Sequence, residues 1–123
     1  MLTPVAYGLA VVLALFCVFL GVRFFTAPIA AAAGYGVPAK PDGDAAYFQV
    51  KAVRDLTFGI LGLALIAFAG AHAVGWYMLT VAVVPLGDTL IVLRNGGTKA
   101  TAFGIHLATA VIVLVSAALM FAL

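Results

Sequence analysis

Four apolar runs, each about twenty residues long, take up most of the chain, and a segment of that length is what a helix needs to cross a bilayer. They fall at about residues 4–25, 48–71, 74–93 and 98–121. Between them lie one long polar stretch and two short turns. Of the 123 residues, 67% are hydrophobic and only 8% charged, against roughly 25% charged in a soluble domain. A single soluble core cannot bury that much apolar surface without leaving large exposed patches. The solvent for this chain is therefore mainly lipid. The expected fold is all-α: an antiparallel four-helix transmembrane bundle with short turns, forming one integral membrane domain over 1–123.

The segment boundaries carry ordinary helix signals. Pro4 suits a first-turn position, where its missing N–H is no loss. Arg23 complements the dipole at the end of the first helix and can snorkel to the headgroups. No Lys or Arg precedes the first run, so it reads as a retained span rather than a cleaved signal. The 26–47 stretch is the one real loop. Pro28, Gly34, Gly36, Pro38, Pro41 and Gly43 break any long helix there, leaving room for one turn over Ala30 to Ala33. Tyr35, Tyr47 and Phe48 read as interfacial anchors. Ala71 to Gly75 reads as a tight turn, with His72 at the outer surface. Asn95-Gly96-Gly97 stops the third helix, and Thr98 is the natural N-cap of the fourth.

Four alternating spans place every charge on one side. Arg23, Lys40, Asp42, Asp44, Lys51, Arg54, Asp55, Asp88, Arg94 and Lys99 all belong to the half that holds the 26–47 and 94–99 loops. Positive residues in short loops mark the cytoplasmic side. Both termini are then expected outside, in an inner or plasma membrane, with Tyr7, Trp76 and Tyr77 as the outer aromatic belt.

Depth separates the candidate functional residues from surface anchors. At about 1.5 Å per residue, Asp88 lies roughly 9 Å inward of Arg94, His106 roughly 10 Å inward of Lys99, and Asp55 about 6 Å inward of Lys51. An isolated charge at such depth costs a few kcal/mol, so these groups are expected to face the bundle and pair. A buried cluster of Arg23, Arg54, Asp55, Asp88 and His106 follows, with Asp55 against Arg54 or Arg23 and Asp88 against His106 as the simplest pairings. Asp55, Gly59 and Gly62 share one helix face, where the glycines allow either a close helix neighbour or a ligand beside the carboxylate. Pro85, three residues before Asp88, removes a backbone hydrogen bond, frees the Val81 carbonyl and kinks the third helix. Plainer readings stand beside these. Lys51, Arg94 and Lys99 serve as interfacial anchors, Asp55 as a first-turn carboxylate held by the dipole and by Lys51, and His106 as a hydrogen-bonded core histidine.

Several chemistries find no support. Net charge of +2 without a basic run gives no footprint for nucleic acid. Cys17 is the single cysteine, so there is no disulfide and no CxxC pair. Two carboxylates and a histidine can ligate a metal, but here they come one per helix without the paired spacing of a built site. No metal and no cofactor is expected.

Arg54-Asp55-Leu56 followed by Gly59, then Pro85-Leu86-Gly87-Asp88, then His106 early in the last helix, form a pattern. It resembles a family of small four-helix integral membrane proteins of bacteria and fungi, catalogued as a domain of unknown function. The resemblance spans nearly the whole chain. It implies the four-span architecture, singles out the same Arg, Asp and His positions, and carries no activity. Small multidrug transporters fit poorly, since they use a membrane-embedded Glu and this chain has none. Small fluoride channels have balanced charge, which this chain lacks.

Three functions remain open at this level. The cluster of Arg23, Arg54, Asp55, Gly59, Gly62, Asp88 and His106 can bind or transport a small polar or anionic ligand, with proton coupling through Asp88 and His106. It can act as a cofactor-free acid–base enzyme, an isomerase or cyclase, on a lipophilic substrate from the bilayer, with Asp55, Asp88 and His106 as catalytic candidates. It can also only fix helix register in a structural or accessory subunit. So small a chain has little interior, which makes a homo-oligomer an expectation too.

Overall fold

The computed structural model describes residues 1–40 and 42–123; Pro41, read above as a loop breaker, lies outside them. The described residues are all helix and connection, without a strand. The elements are α1 (Leu2–Thr26), α2 (Pro28–Tyr35), α3 (Asp44–Phe68), α4 (Ala71–Val81), α5 (Val83–Arg94), α6 (Lys99–Thr101), a π-helical segment (Ala102–Leu107) and α7 (Ala108–Phe121). Among the described residues, three stretches are long and apolar enough to cross a membrane: Leu2–Thr26, Ala71–Arg94 and Lys99–Phe121.

Helix α3 is long enough but more charged. It starts at Asp44, an acid placed in the first turn where the dipole favours it. It therefore carries Lys51, Arg54 and Asp55 inside the helix rather than at its mouth. Its charge-free part, residues 56–68, is about 20 Å long, short of a full bilayer core of about 30 Å.

Two sequence readings need correction. The 26–47 stretch is not all loop. Pro28 sits in the first turn of α2, and Gly36 ends it in a left-handed conformation (φ 92°), so helix extends to both sides of the alanine run. The turn after the second long helix falls at Ala69–Gly70, not at Ala71 to Gly75. Gly70 takes the positive φ (88°), while Gly75 is buried inside α4 against the Phe121 ring, 2.9 Å from where a Cβ would stand. The third long helix is interrupted at Ala82, three residues before Pro85, and α5 resumes with Leu86 N–H donating to Ala82 O at 3.2 Å. Thr98 caps as read, its hydroxyl accepting from the Thr101 N–H at 3.1 Å.

Packing divides the helices into two pairs. In the first, α1 lies close against α3. A Cβ on Gly21 would stand 2.7 Å from Leu56 N, and one on Gly59 2.8 Å from Ala14 O. Backbones this close give the van der Waals contact that holds helices together in lipid. The second pair joins α4 and α5 to the π segment and α7. The pairs meet where Ala6 and Ala10 of α1 pack on Val74, Met78, Val113, Ala117 and Met120. A smaller core of Phe24, Ala31, Ala32 and Ala52 seats α2 on the ends of α1 and α3. Outward faces are apolar: Phe19 is 57% exposed and Val83 67%, as suits helices whose solvent is hydrocarbon.

Candidate functional site

Between α1 on one side and α5 with the π segment on the other, the two pairs enclose a cavity of about 270 Å³. Phe16, Phe19, Phe58, Tyr77, Val81 and Val113 line its apolar part. Arg23, Tyr35, Asp55, Asp88 and His106 line the rest. Helix α2 closes one end by placing its last residue, Tyr35, against α5 and the π segment.

Tyr35 is bonded at both its ends. Its hydroxyl donates to Asp88 Oδ2. Its carbonyl, one of those a helix C-terminus leaves without an intrahelical partner, lies 2.7 Å from His106 Nε2. A carbonyl only accepts, so Nε2 carries the proton, and in the neutral ring Nδ1 holds the lone pair. The two rings are tilted, with centroids 4.2 Å apart. Burial first, then the Asp88 carboxylate, pushes the Tyr35 phenol well above its ordinary value, so it stays a donor. His106 itself is buried, 3% exposed. It sits in the π-helical turns of residues 102–107, and π-bulges often mark functional sites.

Lys51 completes the α2 contact from below. Its ammonium pairs with Asp55 Oδ2 at 2.5 Å and stands 3.9 Å from the Phe24 ring centroid and 4.5 Å from that of Tyr35. Phe24 meets Tyr35 edge-on at 5.4 Å. Among the described residues, Lys51–Asp55 is the one salt bridge.

Of the residues singled out in the sequence, Arg23, Asp55, Asp88 and His106 line the cavity. Arg23 is exposed. The pairings differ from the simplest ones: Asp55 takes Lys51, its i−4 neighbour, and Asp88 and His106 both bind Tyr35. Lys51 is accordingly more than an anchor. Arg54 does not line the cavity; it is exposed and donates to Val50 O at 3.3 Å. Gly59 and Gly62 do not line it either. A Cβ on Gly62 would stand 3.1 Å from the Tyr77 ring, and both glycines serve the contact with α1. Among the described residues, no three of His, Cys, Asp and Glu gather as a metal would require.

Two tyrosines read as interfacial turn inward instead. Tyr77 is 8% exposed and its hydroxyl donates to Phe58 O, so it is not part of an outer belt. Tyr35 is the functional residue that the sequence reading passed over. Its signal is the frame around it: Pro28 as a helix start and Gly36 as a stop, eight positions apart, which make Tyr35 a helix-terminal residue rather than a loop anchor.

Neither curated proteins nor solved structures contain a match to this chain. One protein family does match, over residues 14–120, a range that takes in every cavity-lining residue named here. The chain belongs to that family, described as a domain of unknown function (DUF4267).

Proposed function

We propose that this protein is a multi-pass membrane protein that holds a small lipophilic molecule with a polar head in the cavity between α1 and α5. One observation carries the reading: the wall toward lipid is made of half-exposed apolar side chains, and the far wall of hydrogen-bonding groups. Phe16 is 40% exposed, Phe19 57%, Val84 39% and Ile105 46%, and all four line the cavity. Such a mouth admits a molecule sideways from the bilayer, apolar part outward. Small-molecule sites combine an apolar wall with a few convergent polar groups.

A dead-end chamber suits the packing better than a channel. Past the apolar part of the cavity, Ala6, Ala10, Val74, Met78 and Met120 fill the core, and among the described residues no row of polar groups leads onward. In this reading α3 is a fourth span, antiparallel to its neighbours. The Lys51–Asp55 pair neutralises itself, and Arg54 snorkels to the headgroups. The Tyr35 end then faces the cytoplasm, since the positive residues gather there, and the termini face outward.

Cys17 lines the cavity and is the one thiol in the chain. A membrane-permeant maleimide is expected to modify it, and Val84→Trp, which fills the mouth, to slow modification about tenfold or more. Equal rates in both proteins would remove the lateral entrance and the proposal with it.

A further inference from the structure

Leaving Arg23 aside, the hydrogen-bonding capacity left over among the cavity-lining side chains is that of acceptors, and it bears on the head group. The Tyr35 hydroxyl is committed to Asp88, the Tyr77 hydroxyl to Phe58 O, the Thr109 hydroxyl to Ile105 O at 2.6 Å, and His106 Nε2–H to Tyr35 O. Arg23 is the remaining strong donor in the lining, and it is exposed.

Asp88 uses Oδ2, and no hydrogen bond among the described residues uses its Oδ1. His106 Nδ1 likewise has no partner there. Neither atom is sealed away: Ser116 Oγ is the one fully enclosed side-chain polar atom without a partner among the described residues. Both atoms thus keep some accessible surface, and both residues line the cavity. Charge points the same way. Asp55 is matched by Lys51, but no cation lies within salt-bridge distance of Asp88 among the described residues. A carboxylate at membrane depth without a cation is costly, and a cationic ligand would relieve that cost.

The walls supply the rest. Phe16, Phe19, Phe24, Phe58 and Tyr77 present aromatic rings to the cavity, and ring faces attract cations. Lys51 already exploits this, standing over Phe24 and Tyr35 from outside the lining. Resting on the binding reading above, we infer that the ligand is a protonated amine on a small apolar body. Its ammonium donates to Asp88 Oδ1 and His106 Nδ1, and its apolar part faces the Phe16–Phe19 mouth. The volume, about 270 Å³, lies just under the range of drug-sized sites, so a longer tail would extend into lipid.

Three probes with one tail and different heads test this: octylammonium, octanol and octanoate. Binding to the purified full chain is read by native mass spectrometry and by protection of Cys17 from maleimide. Octylammonium should bind at least about tenfold tighter than either other probe, the ratio of a charge-assisted hydrogen bond. Asp88→Asn, which keeps an acceptor for Tyr35 but removes the charge, should erase that preference while octanol binding stays. Asp88→Glu should keep it. Equal binding of the three probes, or a preference for octanoate, would overturn the amine assignment and leave the chamber standing. Failure of all three to bind or to protect Cys17 would overturn both. Should Asp88→Asn not fold, the wild-type ranking decides alone.

Discussion

The Tyr35 hydroxyl donates to Asp88 Oδ2 across 53 positions of sequence, and the same residue's carbonyl accepts a hydrogen bond from His106 Nε2–H. One residue at the end of a two-turn helix thereby ties α2 to both α5 and the π segment. Its ring rests on Phe24 and over the Lys51 ammonium. Without it, α2 would touch the helix pairs mainly through alanines, which bury little area. Most of what closes this end of the cavity depends on Tyr35.

Removing the hydroxyl should therefore loosen the bundle measurably. Tyr35→Phe keeps the ring contacts and loses one hydrogen bond to a charged acceptor, a loss of about 1.5–3 kcal/mol. Asp88→Ala removes the other partner. In a double-mutant cycle the two changes should be non-additive, with a coupling of about 0.5–3 kcal/mol, as for groups in direct contact. Thermal unfolding of the four proteins in one detergent measures it, and strict additivity would mean the bond contributes nothing.

Alkaline titration should find Tyr35 silent. Burial and Asp88 both favour its neutral form, holding its pKa above the ordinary 10.0. With a raised folded-state pKa, the stabilisation is fully present below the unfolded value, about 10, and is lost as pH climbs above it. The tyrosinate absorbance that develops near pH 10 should thus have the same amplitude in wild type and in Tyr35→Phe. Above that pH, wild type should lose stability more steeply than the variant. A drop of one tyrosine's amplitude in the variant would show that Tyr35 titrates normally.

Close packing of α1 on α3 makes Gly59 intolerant of even one carbon. A Cβ there would lie 2.6 Å from Val18 Cγ2 and 2.8 Å from both Ala14 O and Val18 N. Two of these are backbone atoms, so no rotamer change relieves the clash and the helices must part. Gly59→Ala should destabilise by about 1–3 kcal/mol, the usual range for overpacking. Gly8→Ala is the control. It lies in α1 with nothing within 4 Å of the new carbon, and it should be neutral or slightly stabilising by thermal unfolding.

What the sequence disclosed and what it hid divide along local and non-local physics. The long helices follow from apolar runs and from Thr98 and Gly97 at their ends. The Lys51–Asp55 pair is an i, i+4 relation, legible from spacing alone. That Asp88 and His106 lie about two turns inward of Arg94 and Lys99 along their helices follows from counting residues. Their shared partner does not, because Tyr35 comes from a Pro- and Gly-rich stretch whose composition resembles loop. The inward turn of Tyr77 was equally hidden, since a tyrosine near a helix end fits an interfacial belt and a core position alike. The π segment leaves no period in so short a window, and an extra residue per turn changes which face His106 occupies.

His106 offers a test that separates a hydrogen bond from mere packing. His106→Phe keeps an aromatic ring beside Tyr35 but leaves the Tyr35 carbonyl without its donor. An unsatisfied acceptor in such a place costs about 1–3 kcal/mol. His106→Gln loses the ring but supplies an N–H that can reach the same carbonyl. If the bond is what holds the end of α2, hydrogen exchange of the α2 amides should quicken about tenfold or more in the Phe variant and less in the Gln variant. If ring packing dominates, the order reverses. The exchange of α7 amides beyond residue 116 serves as the internal reference, because Ala117 and Met120 are buried in the core with Ala6 and Ala10 and should be protected equally in all three proteins.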